Sequence, residues 1–281
     1  MRNRLAGSHS TVAQIFRSCA SSSGSSFPRT DVLARRRDIR PQLADVKRRD
    51  CETCKTWASD VPAYLGLDGF RFGWVAAWID DRGQHGFDYS PGLTRLLAVP
   101  HVRAMIDMPI GLKPSGSRAC DLRARELVGP AVFVGARRDL WTFPDMAAAN
   151  RHYWKHEGKG KGVSAQLWNI RDKIAEVDEI MTPARQATIG EAHPELIFWN
   201  LAGRIRLQPK TSPRGREQRI VLLRERGFTK IEKWLTQRHG TGIGRDDLID
   251  ACACAVAARD STQRVGGDEI DPRGLRMEIN Y

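Results

Sequence analysis

The sequence predicts an α/β domain whose mixed sheet carries helices on both faces. Three short apolar runs, AYLGLDG, WVAAWID and HGFDYS, follow one another from Ala63 to Ser90 and read as consecutive strands. A fourth such run, RAMIDMPI, comes after a short helical segment. The rest is mostly helical in period, interrupted by ATIGEAHP as a short fifth strand and closed by the helix DDLIDACACAVAARD. Strands that begin as hairpins and continue after helices imply a sheet with both antiparallel and parallel pairs.

Each element has its own signal. AYLGLDG ends at Gly69, and DRGQ between the second and third strands is a hairpin turn in which Gly tolerates positive φ. PGLTRLLAV has a proline near the start of a short helix. SRACDLRARELVG starts at a cap-like Ser117 and stops at Gly129, and PDMAAANRHYWKHEG opens with Pro and closes with Gly158. In VSAQLWNIRDKIAEVDEIM the residues Leu167, Ile170, Ile174, Val177 and Met181 recur at helical spacing and predict one helix with one apolar face. PELIFWNLAG, REQRIVLLRERG and KIEKWLTQRHG are three further helices. The order of three strands, helix, strand, helices, strand and helix is that of a ribonuclease H-like fold with a helical insert between the fourth and fifth strands. The domain boundaries expected on this reading are 1–60 for a basic extension, 61–265 for the domain and 266–281 for a C-terminal tail.

Composition bounds the function. The chain has 281 residues, 41% of them hydrophobic, enough for a packed core. Its formal net charge is +12, and residues 1–60 alone carry 12 Lys and Arg against 6 Asp and Glu. Such an excess favours polyanions, and nucleic acid, DNA or RNA, is the expected partner. The Arg- and Ser-rich start, MRNRLAGSHSTVAQIFRSCASSSGSS, reads as a disordered extension or an organelle-targeting peptide. No apolar run reaches the roughly 18 residues of a membrane span. Six cysteines without a finger-like second pair for Cys51 and Cys54 suit a reducing cytoplasm, and Cys252 and Cys254 read as small buried hydrophobes.

The chemistry is carried by acids. Asp68 ends the first strand, Asp107 interrupts the apolar run AMIDMPI, and Asp247 and Asp250 lie three residues apart on one face of the last helix. Carboxylates gathered beside a core require a compensating cation. Magnesium or manganese, taken by a few carboxylate oxygens, meets that need, and two such ions can drive phosphodiester hydrolysis. Taken singly, Asp68 is also a turn residue, Asp247 a helix cap and Asp250 an exposed helix residue. Glu191 and Glu195, flanking His193 in EAHPEL, offer a further ligand or a general base, with helix capping the other role for Glu195. Lys173, Lys210, Arg214, Arg216 and Arg219 are candidate phosphate contacts or a solvated face.

The segments LGLDGFRFGWVAAW, IDMPIGL, CDLRAREL, SAQLWNIRDKIAEVD, EAHPELIF and RDDLIDACACA, in this order, resemble the predicted nucleases grouped as domain of unknown function 429. The resemblance covers about residues 64–260. It implies a ribonuclease H-like fold and places the family's acidic positions on Asp68, Asp107, Glu191, Glu195, Asp247 and Asp250. A wider resemblance to Holliday junction resolvases implies an acid on the first strand, one on the fourth and two spaced by three on the last helix, here Asp68, Asp107, Asp247 and Asp250. The chain departs from the family in having Ala192 where a β-branched residue is more usual, a change that removes no ligand. The expected activity is therefore a metal-dependent nuclease. An actin-like ATP-dependent phosphotransferase and a non-catalytic nucleic-acid-binding protein are the alternatives.

Overall fold

Alternation in the apolar runs decides which side chains face which layer. In the computed structural model, which describes residues 63–281, the five strands form one mixed sheet. The expectations for residues 1–60, the basic extension and the Cys51–Cys54 pair among them, lie outside the described residues. β1 (Ala63–Phe70), β2 (Gly73–Ile79) and β3 (His85–Ser90) make an antiparallel meander. β4 (His101–Ile106) then pairs with β1 in parallel, and β5 (Ile189–Glu191) pairs with β4 in parallel, which gives the order β3-β2-β1-β4-β5.

The period of two along each strand splits the core into two layers. Leu65 and Leu67 of β1, Trp74, Ala76 and Trp78 of β2, and Ala104 and Ile106 of β4 pack on one face. That face is covered by α1 (Leu93–Leu97), α3 (Met146–Glu157), α4 (Ala165–Asn169) and α5 (Arg171–Ile180). Val75, Ala77, Ile79 and Met105 point the other way, toward α6 (Pro194–Leu201), α7 (Pro213–Glu225), α8 (Ile231–Gln237) and α9 (Arg245–Asp260).

α9 lies against β1 because both surfaces are nearly bare. α9 is buried all round from Leu248 to Ala258, and the part against Gly66 of β1 is Ala251, Cys254 and Ala255. A Cβ on Gly66 would stand 2.0 Å from the Ala251 carbonyl oxygen and 2.0 Å from the Ala255 nitrogen. Backbone atoms in a buried helix cannot step aside cheaply, so Gly66→Ala is expected to lower stability by about 2–3 kcal/mol through overpacking. Urea denaturation measures this, and an unchanged midpoint would mean that α9 can slide on the sheet.

Two segments differ from the sequence expectation. The helix read across Val163–Met181 is two helices, broken at Ile170 with φ −97° and ψ 2°. The Arg171 guanidinium donates to the Trp168 carbonyl at 2.9 Å, and Leu167, Ile174, Val177 and Met181 stay buried in one layer. The stretch 266–281, read as a tail, is instead part of a hairpin of β6 (Arg264–Ile270) and β7 (Arg276–Asn280). Val265, Met277 and Ile279 pack with Cys120 and Ala124 of α2 (Ala119–Val128) and with Leu196 of α6. Asn280 also donates to the Glu191 carbonyl at 3.0 Å, which joins the hairpin to β5. A boundary at 265 would cut through β6. Among the described residues no helix is long and apolar enough to cross a membrane.

Candidate metal centre

Strand parity brings the first two acids together. Leu65 and Leu67 face one layer, so Gly66 and Asp68 face α9. Ile106 shares the layer of Leu67 and Met105 the layer of α9, so Asp107 also turns toward α9. β1 and β4 are parallel neighbours with Leu67 opposite Ile106, and the Asp107 N–H donates to the Leu67 carbonyl at 2.9 Å. The two carboxylates therefore stand side by side at the carboxyl ends of adjacent parallel strands, where open α/β sheets place their ligands. Asp250, in the second turn of α9, reaches down to them. Oxygens of Asp68, Asp107 and Asp250 all lie within 4.8 Å of one another.

The neighbours of this trio are few. Asp68 Oδ1 accepts the Gly69 N–H at 2.6 Å. Asp250 is 4% exposed; its Oδ2 accepts from Lys210 Nζ at 2.9 Å, while its Oδ1 is buried with no hydrogen-bond partner. A buried carboxylate oxygen without a donor is costly. It is the natural ligand atom for a hard cation, and the oxygen-only donor set suits magnesium or manganese.

Burial is the main force on these groups. It raises Asp68 well above the usual carboxylate range, and the charges of Asp107, Asp250 and Asp247 add to the rise. Burial lifts Asp107 to about 7 against the pull of Lys210, with Glu195 adding repulsion. Asp250 is likewise pushed to about 7 by burial, with Lys210 opposing and Asp107 reinforcing. Burial alone would depress Lys210, but the charges of Asp250, Asp107 and Asp68 outweigh it and raise the ammonium above its ordinary value.

The other three predicted acids line the same cleft but are not part of the close trio. Asp247 turns its Oδ2 to the Gly244 N–H at 2.7 Å, which caps α9 where glycine supplies no side chain. Glu191 pairs in register with Ile106 and shares the layer of Ile189, the face opposite α9. There its two oxygens accept from the buried Arg118 at 2.7 Å each, and Oε2 also accepts the Ile110 N–H at 2.7 Å. Glu195 is gripped by Arg219, whose Nη2 donates to its two oxygens at 2.8 and 2.7 Å. His193 is half-buried, and desolvation pushes its imidazole below the ordinary pKa.

Among the expected phosphate contacts, Lys173 donates to the Gly73 carbonyl at 2.6 Å, Arg219 is fully buried, and Arg216 lies 4.0 Å from Asp246. Only Lys210 reaches the trio. Arg118 was not singled out from the sequence, although an arginine ahead of an acid at i+3 is a visible ion-pair spacing.

A cleft of about 600 Å³ opens above the trio. Acids and Lys210 line its floor, and Phe133, Leu167, Trp199 and Leu207 are among its apolar lining. Largely buried carboxylates beside apolar walls hold charge in a medium that amplifies it. No curated protein and no solved structure matches the chain. Residues 66–269, nearly the whole described domain, match the family described as protein of unknown function (DUF429), and the chain belongs to that family.

Proposed function

We propose that this protein is a magnesium- or manganese-dependent nuclease on a ribonuclease H-like fold. The observation that carries the reading is the convergence of Asp68, Asp107 and Asp250 within 4.8 Å, with Asp250 Oδ1 buried and unpartnered. The fold reading is supported by the antiparallel meander, the parallel fourth strand beside the first, and the last helix laid across the sheet. The nucleic-acid reading is supported by the net charge of +12.

Asp68, Asp107 and Asp250 would hold the ion. When bound, it supplies positive charge to a phosphoryl oxygen and acidifies water for attack at phosphorus. The remaining work falls to the chain. The sheet and α9 fix the three carboxylates without rearrangement, since each sits on a rigid element. The apolar lining shields the floor from bulk water. Lys210, at the floor beside Asp250, is placed to donate to a non-bridging phosphate oxygen. Glu191, tied to Arg118 on the opposite face, takes no proton in this scheme.

The test is cleavage of labelled single-stranded, duplex and branched DNA and RNA with magnesium or manganese. Cleavage is expected to need the metal and to fall by more than about a hundredfold in Asp107→Asn, which loses a ligand charge. Cleavage that persists in chelator, or at full rate in that variant, would remove the proposal.

A further inference from the structure

The acid trio has a cation of its own. Lys210 Nζ sits 2.9 Å from Asp250 Oδ2, and the backbone that delivers it is anchored at several points. Gln218 Oε1 accepts the Gln208 N–H at 3.0 Å. The buried Arg219 donates to the Gln208 carbonyl at 3.0 Å while its other nitrogens hold Glu195. Ser212 Oγ donates to the Pro209 carbonyl at 2.8 Å. Gly215, in the first turn of α7, lies so close that a Cβ there would stand 2.2 Å from the Pro209 carbonyl oxygen. A lysine on a solvated face needs no such mounting. Here a side chain 42% exposed is aimed inward at a carboxylate that is nearly fully buried.

Charge balance gives this placement a consequence. Three carboxylates and one ammonium leave two negative charges, the charge of a single divalent ion. The fourth acid that a second ion would call on, Asp247, lies outside the close trio, and its Oδ2 accepts the Gly244 N–H. We propose that Lys210 is the resident second cation of this centre, so that the chain binds one divalent ion where the sequence suggests two. The ammonium takes the electrostatic part of the second ion, beside Asp250 and facing the cleft. This rests on the metal-dependent reading above, and it changes the expected stoichiometry and the role of Lys210.

Manganese titration of the full chain by calorimetry, with bound ion counted by electron paramagnetic resonance, tests it without any substrate. The wild type is expected to bind one Mn²⁺. Lys210→Met, which keeps the stem and removes the charge, is expected to bind Mn²⁺ on the order of tenfold more tightly, because the nearest fixed positive charge is gone. Lys210→Arg, which keeps the charge, is expected to stay near the wild type. Two ions per wild-type chain would overturn the lysine assignment and leave the metal reading standing. So would unchanged or weaker binding in Lys210→Met, or equal tightening in Lys210→Arg. No Mn²⁺ bound to the folded wild type would overturn both.

Discussion

Asp68→Asn is expected to stabilise the metal-free protein while abolishing its divalent-ion binding. Asp68 is 7% exposed, and its ionised form is opposed first by burial and then by Asp107, Asp250 and Asp247. Asparagine has the same shape and keeps an oxygen for the Gly69 N–H that now reaches Asp68 Oδ1. Removing the charge should therefore add about 1–2 kcal/mol, the usual gain when a functional site gives up its strain. In a domain of this size each kcal/mol moves Tm by about 2–4 °C. The same electrostatics set a pH dependence. Asp107 and Asp250 are lifted to about 7, so the folded protein keeps protons that the unfolded chain releases at ordinary carboxylate pKa values. Their contribution is full below the ordinary carboxylate range and is lost as pH rises through about 7. Metal-free Tm should fall across that window, and Mn²⁺ should restore it increasingly toward the alkaline end, where it meets ionised ligands. A pH series of thermal denaturation, with chelator and with Mn²⁺, decides the matter. A metal-free Tm that rises over this range, or a less stable Asp68→Asn, would mean that the trio is already compensated.

What could be read in the chain depended on whether the controlling contact was local. Asp68 and Asp107 were legible because each stands at a fixed parity from apolar neighbours in its own strand, and Asp250 because i, i+3 spacing follows from the helix itself. The same spacing promised Asp247. The end of α9 had another use for it: Gly244 has no side chain to cap the helix, and the Asp247 carboxylate meets its N–H. Glu191 takes the layer opposite Asp107 for a longer-range reason. Its face is set by pairing with Ile106, far away in the chain, and a shift of one residue would have turned it toward α9. Lys210 sits in a loop with no period, so its aim comes from Gln218, Arg219 and Gly215 of the next helix. The hairpin at the C-terminal end was hidden by composition. Gly266 and Gly267, at φ 82° and 102°, look like linker residues, yet a Cβ on Gly266 would meet that of Cys120 at 2.6 Å. The fold class needed only local patterns, whereas the membership of the site needed register.

Arg118→Met is expected to be among the most damaging single substitutions, costing about 3–5 kcal/mol, the range for stripping one partner from a buried ion pair. Arg118 is 1% exposed. Its nitrogens meet both oxygens of Glu191 at 2.7 Å, both oxygens of Asp121, and the carbonyls of Ile110 and Gly111 at 3.1 and 3.3 Å. Methionine would leave two buried carboxylates and two carbonyls without these donors. Arg118→Lys should recover little, because a point charge cannot serve two forked acceptors at once. Glu191→Gln should behave differently. One guanidinium faces two carboxylates, and burial already lifts Glu191 to about 7 despite Arg118 and the Ile110 N–H. Neutralising it removes the surplus charge but turns the amide NH2 toward one of these donors, so the loss should be about 1–3 kcal/mol, below that of Arg118→Met. The pair of measurements, denaturant unfolding and Mn²⁺ binding, then separates scaffold from centre. Glu191→Gln should bind Mn²⁺ like the wild type, since its side chain lies on the sheet face opposite α9. Lost ion binding in the folded variant would put Glu191 in the centre. Intact binding would identify the Arg118 cluster as the brace joining β5, the start of α2 and the Ile110–Gly111 turn, which holds the end of β4 and thus Asp107 in place.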